Sequence, residues 1–183
     1  MITKELEEFI NQYIDLIDNN QFFDLFENAR HLLSNNTRAE LINMLHEAEI
    51  PFLSYMSKIN GNLFYSSHIT SIELPDSIRY IGAHSFANSS LHAIKINDGC
   101  ETIDTSAFIR CVFLRDVSLP NSLHSIGRGA FANCPNLENV EYRGTIHEWE
   151  SIAKGEMWFS KADKSNITIE CIDGPIEVSN SGV

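Results

Sequence analysis

Phenylalanines recur at a nearly constant interval through the middle of the chain. Phe64, Phe86, Phe108 and Phe131 are separated by 22, 22 and 23 residues. A fixed period of this length marks an array of supersecondary units, each of which must pack on its neighbours to bury its apolar face. The interval therefore predicts a solenoid for this part of the chain.

Alignment on the phenylalanines gives three nearly full copies, which begin at Ile69, Leu91 and Leu114, and a fourth that begins at Leu137. Each copy has apolar residues at its first, fourth and sixth positions, and the last two alternate as in a short strand. We expect these strands to lie side by side in a parallel sheet, about 4.8 Å apart. Gly82 and Gly127 follow an isoleucine column, where we expect a tight turn with unusual dihedral angles.

The repeat reads L-x-x-I-x-L-P-x-S-[IL]-x-x-I-G-x-x-[AS]-F-x-x-[CS] over roughly residues 60–143. This pattern resembles the BspA-type leucine-rich repeat, which is common in bacterial surface proteins and mobile elements. The continuation YRGTIHEWESIAKGEMWF resembles the segment that often closes such arrays. The resemblance implies a curved solenoid used for binding, with no inherited catalytic residues. Many members are long and secreted, whereas this chain is short and has no secretory signal.

The first sixty residues have the apolar spacing of helices. Residues 3–18 and 22–33 carry apolar side chains three and four positions apart, and Thr37 with Glu40 forms a capping box for a third helix. The predicted fold class is therefore α+β. A helical N-terminal domain or cap occupies residues 1–60, and a short leucine-rich-repeat solenoid with a parallel sheet and a helix–strand cap occupies residues 61–183.

The closing segment supplies the helix and the strand of that C-terminal cap. Thr145 and Glu148 form a second capping box, so we expect a helix from about Ile146 to Ala153. Ile167, Ile169 and Cys171 alternate like a strand, which Gly174-Pro175 is expected to end. Such caps are needed because the ends of a solenoid expose unpaired strand edges.

No arrangement of residues indicates catalysis. The tetrad that begins at His147 lacks the second histidine of the zinc-protease pattern, because Ser151 stands at that position. Cys111 and Cys134 share a repeat column with Ser67 and Ser89, which indicates a small buried position rather than a metal or redox site. We therefore predict no catalytic residues, no metal site and no cofactor, and a protein that is not an enzyme.

Charge limits the classes of partner. The formal net charge is −12, and the acidity is spread along the chain. Such a chain repels phosphate backbones, which argues against direct nucleic-acid binding. The sequence contains neither a secretory signal nor an apolar stretch long enough to span a membrane. We therefore expect a cytoplasmic protein that does not bind membranes.

Two surfaces are candidates for binding a partner. The first is the outward face of the repeat sheet, although an ordinary solvated face is equally consistent with Ser71, Glu73, His92, Lys95, Arg115, Asp116, Ser118, Asn139 and Glu141. The second is the acidic face of the N-terminal helices, with Glu7, Glu8, Asp15, Asp18, Glu47 and Glu49. Phe113 lies outside the repeat columns. It is either an exposed anchor or tucked under the longer repeat, and the sequence slightly favours the second.

Two functional classes remain open. The first is a non-enzymatic protein–protein interaction module built on the short solenoid, whose partner is another protein. The alternative is an anti-CRISPR-like inhibitor from a phage or mobile element. Its acidic surface would block the nucleic-acid-binding channel of a basic defence nuclease. A truncated relic of a surface protein is a third possibility, and both monomer and homodimer remain open.

Overall fold

The computed structural model describes Leu53 and residues 56–160 and 167–178. The helices predicted before residue 53 lie outside these ranges, as do the acidic residues assigned to their polar faces. Within the described part, the chain winds as a coil of successive turns, each stacked on the one before.

Three sheets run along this coil. Sheet 1 is parallel and has the order β1-β2-β4-β6-β9, with strands Lys58–Ile59, Tyr80–Ile81, Thr102–Ile103, Ser125–Ile126 and Ala153–Lys154. Sheet 2 has the order β12-β11-β8-β5-β3, with strands Gly174–Val178, Ile167–Cys171, Asn139–Tyr142, Asp116–Leu119 and Ala93–Lys95. Sheet 3 pairs only β7 and β10, which are Phe131–Ala132 and Phe159–Ser160.

The phenylalanines form a stacked ladder in the core. Successive rings from Phe64 to Phe131 lie 4.7, 5.0 and 5.0 Å apart between centroids, and their planes differ by 6° or less. Trp158 ends the ladder edge-on, with its ring centroid 6.3 Å from that of Phe131. The regular period thus keeps one ring per turn in register with the next.

The turns beside the ladder repeat their backbone conformation. Two positions in each of four turns have φ between +55° and +61°, and the first of these columns contains Asn62, His84, Ser106 and Gly129. Met157, with φ of +50°, continues this column. The amide of Phe86 donates to the carbonyl of Ala107 at 2.8 Å, and adjacent turns repeat this bond. This third side of the coil is therefore hydrogen-bonded from turn to turn even where no strand forms.

Gly82 and Gly127 are needed because two backbones approach closely. A Cβ on Gly82 would lie 2.7 Å from the nitrogen of Gly61, and one on Gly127 would lie 2.4 Å from the nitrogen of Thr105. Neither glycine has a positive φ. The expectation of unusual dihedral angles at these positions is therefore wrong, and the close packing of neighbouring turns is the cause.

The closing segment continues the coil before it reverses. The helix α1 spans Ile146–Ser151 and begins with the predicted capping box of Thr145 and Glu148. It ends two residues earlier than expected, because Ile152 is extended and Ala153 pairs with Ser125 in sheet 1. β11 then joins sheet 2 parallel to β8, and β12 returns antiparallel to β11. The strand that we expect to end at Gly174-Pro175 therefore ends at Cys171, and Gly174 begins a second strand.

The predicted α+β class is wrong. The described residues form short strands in parallel and mixed sheets, and Ile146–Ser151 is the only α-helix among them. No N-terminal helical bundle belongs to this part of the chain, and β1 already pairs with β2 at Lys58–Ile59. The physical reason is that each turn closes with two-residue strands and hydrogen-bonded turns, which leave too few residues for a helix.

Candidate interaction surface

Sheet 2 presents a polar face to solvent. Side chains alternate along its strands, so Ile94, Val117, Val140 and Ile169 point into the core. Strand register places the outward residues in two rows. The central row contains Glu73, Lys95, Ser118, Glu141 and Glu170, and the second row contains Ala93, Asp116, Asn139 and Thr168. A shallow groove of about 550 Å³ follows these rows.

Neighbouring side chains are paired along this face. Ser118 donates to Glu141 Oε2 at 2.6 Å, and Asn139 donates to Asp116 Oδ1 at 2.6 Å. Arg115 and Glu138 form an ion pair at 3.1 Å. Exposed pairs of this kind contribute about 0–1 kcal/mol each, so they leave the side chains free to exchange partners.

Arg143 supports the face at the carboxyl ends of the strands. Its guanidinium donates to Asp98 Oδ1 and to the carbonyl of Ile96, both at 2.6 Å, and also to Ser118. Its side chain is 19% exposed. The Arg143 guanidinium holds the pKa of the Asp98 carboxyl below its usual value. Sequence reasoning missed this residue, although it stands two positions after the outward Glu141.

Phe113 is exposed at one corner of the face. Half of the residue is accessible to solvent, as is 43% of Val112. The ring of Phe113 stacks on His92, with centroids 5.6 Å apart and planes 18° apart. The favoured expectation, that Phe113 tucks under the longer repeat, is therefore wrong. The extra residue after Cys111 lets Phe113 lean outward and back onto the preceding turn.

The structure gathers most of the predicted repeat-face residues on sheet 2. Arg115 follows His92 in a flanking row, where its amide donates to the His92 carbonyl at 2.8 Å. Ser71 is exposed before the first bridge of the sheet, at Glu73. Sequence reasoning missed Glu170, because only the pairing of Ile169 with Val140 brings that strand into the sheet. Partner binding by these residues stays a prediction, and the predicted acidic helical face lies outside the described residues.

The serine–cysteine column is buried, as predicted. Cys111 Sγ donates to the carbonyl of Phe86 at 3.0 Å, and Cys134 Sγ donates to that of Phe108 at 3.1 Å. The hydrogen bond to Cys111 and burial raise the pKa of the Cys134 thiol. Through these hydrogen bonds, each thiol ties its turn to the one before.

Within residues 56–160 and 167–178, no three histidine, cysteine or acidic side chains converge as metal ligands would. The helix found in these ranges is too short to cross a bilayer.

The repeat pattern has a counterpart among known families. A sequence model of the BspA type Leucine rich repeat region matches residues 43–170 in six copies. Searches of curated proteins and of solved structures gave no significant match. Leucine-rich repeats of this kind typically form protein-interaction modules. The matched region covers most of the chain, which therefore belongs to the BspA-type leucine-rich repeat family.

Proposed function

We propose that the chain is a non-enzymatic protein–protein interaction module that binds its partner through the outward face of sheet 2. The observation that carries this proposal is the exposed apolar corner formed by Phe113 and Val112. Solvent contact with an aromatic side chain is unfavourable, and burying it in a partner recovers that free energy.

The surroundings of Phe113 support this use. Aromatic residues and arginine are enriched where binding energy concentrates. The Phe113 ring stacks on His92, whose backbone carbonyl accepts a hydrogen bond from the amide of Arg115. The adjoining rows of sheet 2 offer hydrogen-bonding side chains that can fix the orientation of a partner. The corner would supply affinity, and the rows would supply specificity.

Affinity capture from host lysate with matched variants tests this proposal. We expect Phe113→Ala to reduce recovery of a specific partner about tenfold, which corresponds to about 1.4 kcal/mol. Met157→Ala is the control, because Met157 is 51% exposed but lies on the phenylalanine-ladder side. Equal recovery with both variants would contradict the proposed binding surface.

The same experiment distinguishes the inhibitor alternative. An acidic mimic of nucleic acid would lose its partner steeply with added salt, and DNA or RNA would compete for that partner. The formal net charge of −12 is the observation that motivates the tests with added salt and with competing DNA or RNA. Capture that resists salt and nucleic acid favours the interaction module.

A further inference from the structure

We propose that the outward face of sheet 2 binds an extended, basic segment of another protein, which carries a lysine or arginine about four residues from an apolar side chain. This inference rests on the proposed function, because it uses the same face and the same exposed corner. The charge of the face selects the basic residue, and the distance across the face selects the spacing.

The outward face of sheet 2 carries an excess of negative charge. Its two rows and the flanking row contain two cations against five carboxylates, namely Lys95 and Arg115 against Glu73, Asp116, Glu138, Glu141 and Glu170. Arg143 does not offset this excess, because its guanidinium donates to the Asp98 carboxylate at 2.6 Å. A cationic partner therefore complements the face, whereas an anionic partner is repelled.

Both cations of the face already have an acidic neighbour. Lys95 lies in strand register with Glu73, and Arg115 forms an ion pair with Glu138 at 3.1 Å. Neither cation is on the strands β8 and β11, so the excess of negative charge is concentrated at that side of the groove.

Glu141 and Glu170 lie together at that side. They are exposed and in register on β8 and β11, and within the part of the chain that the structure describes neither forms an ion pair. Like charges directly opposite each other in a sheet are destabilising. A cation that a partner places between these two carboxylates removes the repulsion, so binding recovers free energy that the chain alone loses.

Glu141 is oriented before any partner arrives. Ser118 donates to Glu141 Oε2 at 2.6 Å, and Arg143 donates in turn to the Ser118 hydroxyl. A side chain that is already ordered loses less conformational entropy when it binds. The carboxylate pair is therefore a better receptor for a cation than two freely rotating glutamates would be.

The distance from this pair to the exposed corner sets the spacing in the partner. The Phe113 ring stacks on His92 at the entrance to β3 and β5, whereas the glutamates lie on β8 and β11, three residues further along the strands. Two strand spacings of about 4.8 Å and three residues of about 3.3 Å give roughly 14 Å between the two places. An extended segment covers this distance in about four residues, and residues four apart point to the same side of it.

Peptide selection on the full chain tests the inference, with random dodecapeptides displayed on phage as the probe. We expect enriched peptides to carry a lysine or arginine at this spacing from an apolar residue. Moving the basic residue by one position should weaken binding, because its side chain then points to the opposite side of the segment. Because one partner cation is involved, added salt should weaken binding far less than it would weaken a mimic of nucleic acid with many charges.

Glutamine variants locate the basic residue on the face. We expect Glu141→Gln with Glu170→Gln to weaken binding of the synthetic enriched peptides about tenfold in fluorescence anisotropy, because both charges are lost with little change of shape. Glu101→Gln with Glu156→Gln is the matched control. It removes the same charge outside sheet 2, since Glu101 precedes β4 and Glu156 lies 4.0 Å from Arg128. Circular dichroism checks that every variant is folded.

Three outcomes would overturn the inference. They are no enrichment of peptides, enriched peptides without a basic residue, and basic peptides that bind the Glu141 and Glu170 double variant as tightly as the wild type. An equal loss in the control double variant would also overturn it, because binding would then follow net charge and not the face. Capture of a partner from lysate that depends on Phe113 would still support the proposed function in each case.

Discussion

Tyr80 shows how one side chain adapts to a departure from the repeat. Its hydroxyl donates to Asp104, which occupies the column where neighbouring turns have Gly82 and Gly127. The hydrogen bond to Asp104, followed by burial, raises the pKa of Tyr80 to about 12. The aspartate thus finds a partner across sheet 1, where the other turns have only a hydrogen atom.

This contact predicts a measurable alkaline titration. The raised pKa favours the neutral phenol, so the stabilisation is present below the unfolded value of about 10 and is lost as pH rises towards about 12. The measurement is tyrosinate absorbance. We expect Tyr80→Phe to remove a group that titrates late, and we expect Asp104→Asn to lower the pKa of Tyr80. Tyr142→Phe is the control, because burial, rather than a hydrogen bond to Asp104, is the main cause of the raised pKa of Tyr142. An unchanged late phase in Tyr80→Phe would disprove the assignment.

Among the structural elements, the phenylalanine ladder packs one buried ring of each turn against the next. Phe108 is fully buried, and parallel rings lie on both sides of it at 5.0 Å. Each aromatic contact is worth about 0.5–1.5 kcal/mol beyond the area that it buries. A residue in the middle of the ladder therefore contributes through two such contacts.

Leucine substitution separates the ladder from the exposed corner. We expect Phe108→Leu to lower the free energy of unfolding by about 1–3 kcal/mol, because it removes both ring contacts. Phe113→Leu keeps the same chemistry at an exposed site and should change stability by less than about 0.5 kcal/mol. Urea denaturation measures both. Similar losses would mean that the ladder adds little beyond ordinary burial, or that Phe113 also supports the fold.

At the scale of the whole molecule, successive turns share one core. The buried side chains from Leu53 to Ile169 form a single apolar cluster. No single turn of such an array can bury its apolar face alone, so neighbouring turns stabilise each other. For the described part of the chain, we therefore expect one cooperative unfolding transition.

Thiol labelling during denaturation tests this cooperativity. Cys100 and Cys111 lie in one turn and Cys134 in the next, and all three are buried, whereas Cys171 is half-buried. Burial raises the pKa of the Cys100 thiol to about 11, so it reacts slowly while the turn is folded. We expect Cys171 to label first and the other three to label together, along with the loss of far-ultraviolet circular dichroism. Labelling of Cys100 well before Cys134 would instead indicate unfolding from one end.

The sequence by itself determined the repeat, its inward columns and the capping box of α1. A period of 22 or 23 residues fixes which side chains meet in successive turns, so the register of Lys95, Ser118 and Glu141 could be predicted. Burial of the phenylalanines followed for the same reason. Local periodicity is sufficient because each turn contacts mainly its neighbours.

Only the tertiary structure decided the class of the fold and the shape of the candidate surface. Two-residue strands such as Thr102–Ile103 are too short to leave a pattern in the sequence, and they form because adjacent turns bring their backbones together. Glu170 joins the face through the pairing of β11 with β8, and Phe113 is exposed because one extra residue lengthens its turn. These features depend on contacts between turns, and a single turn does not specify them.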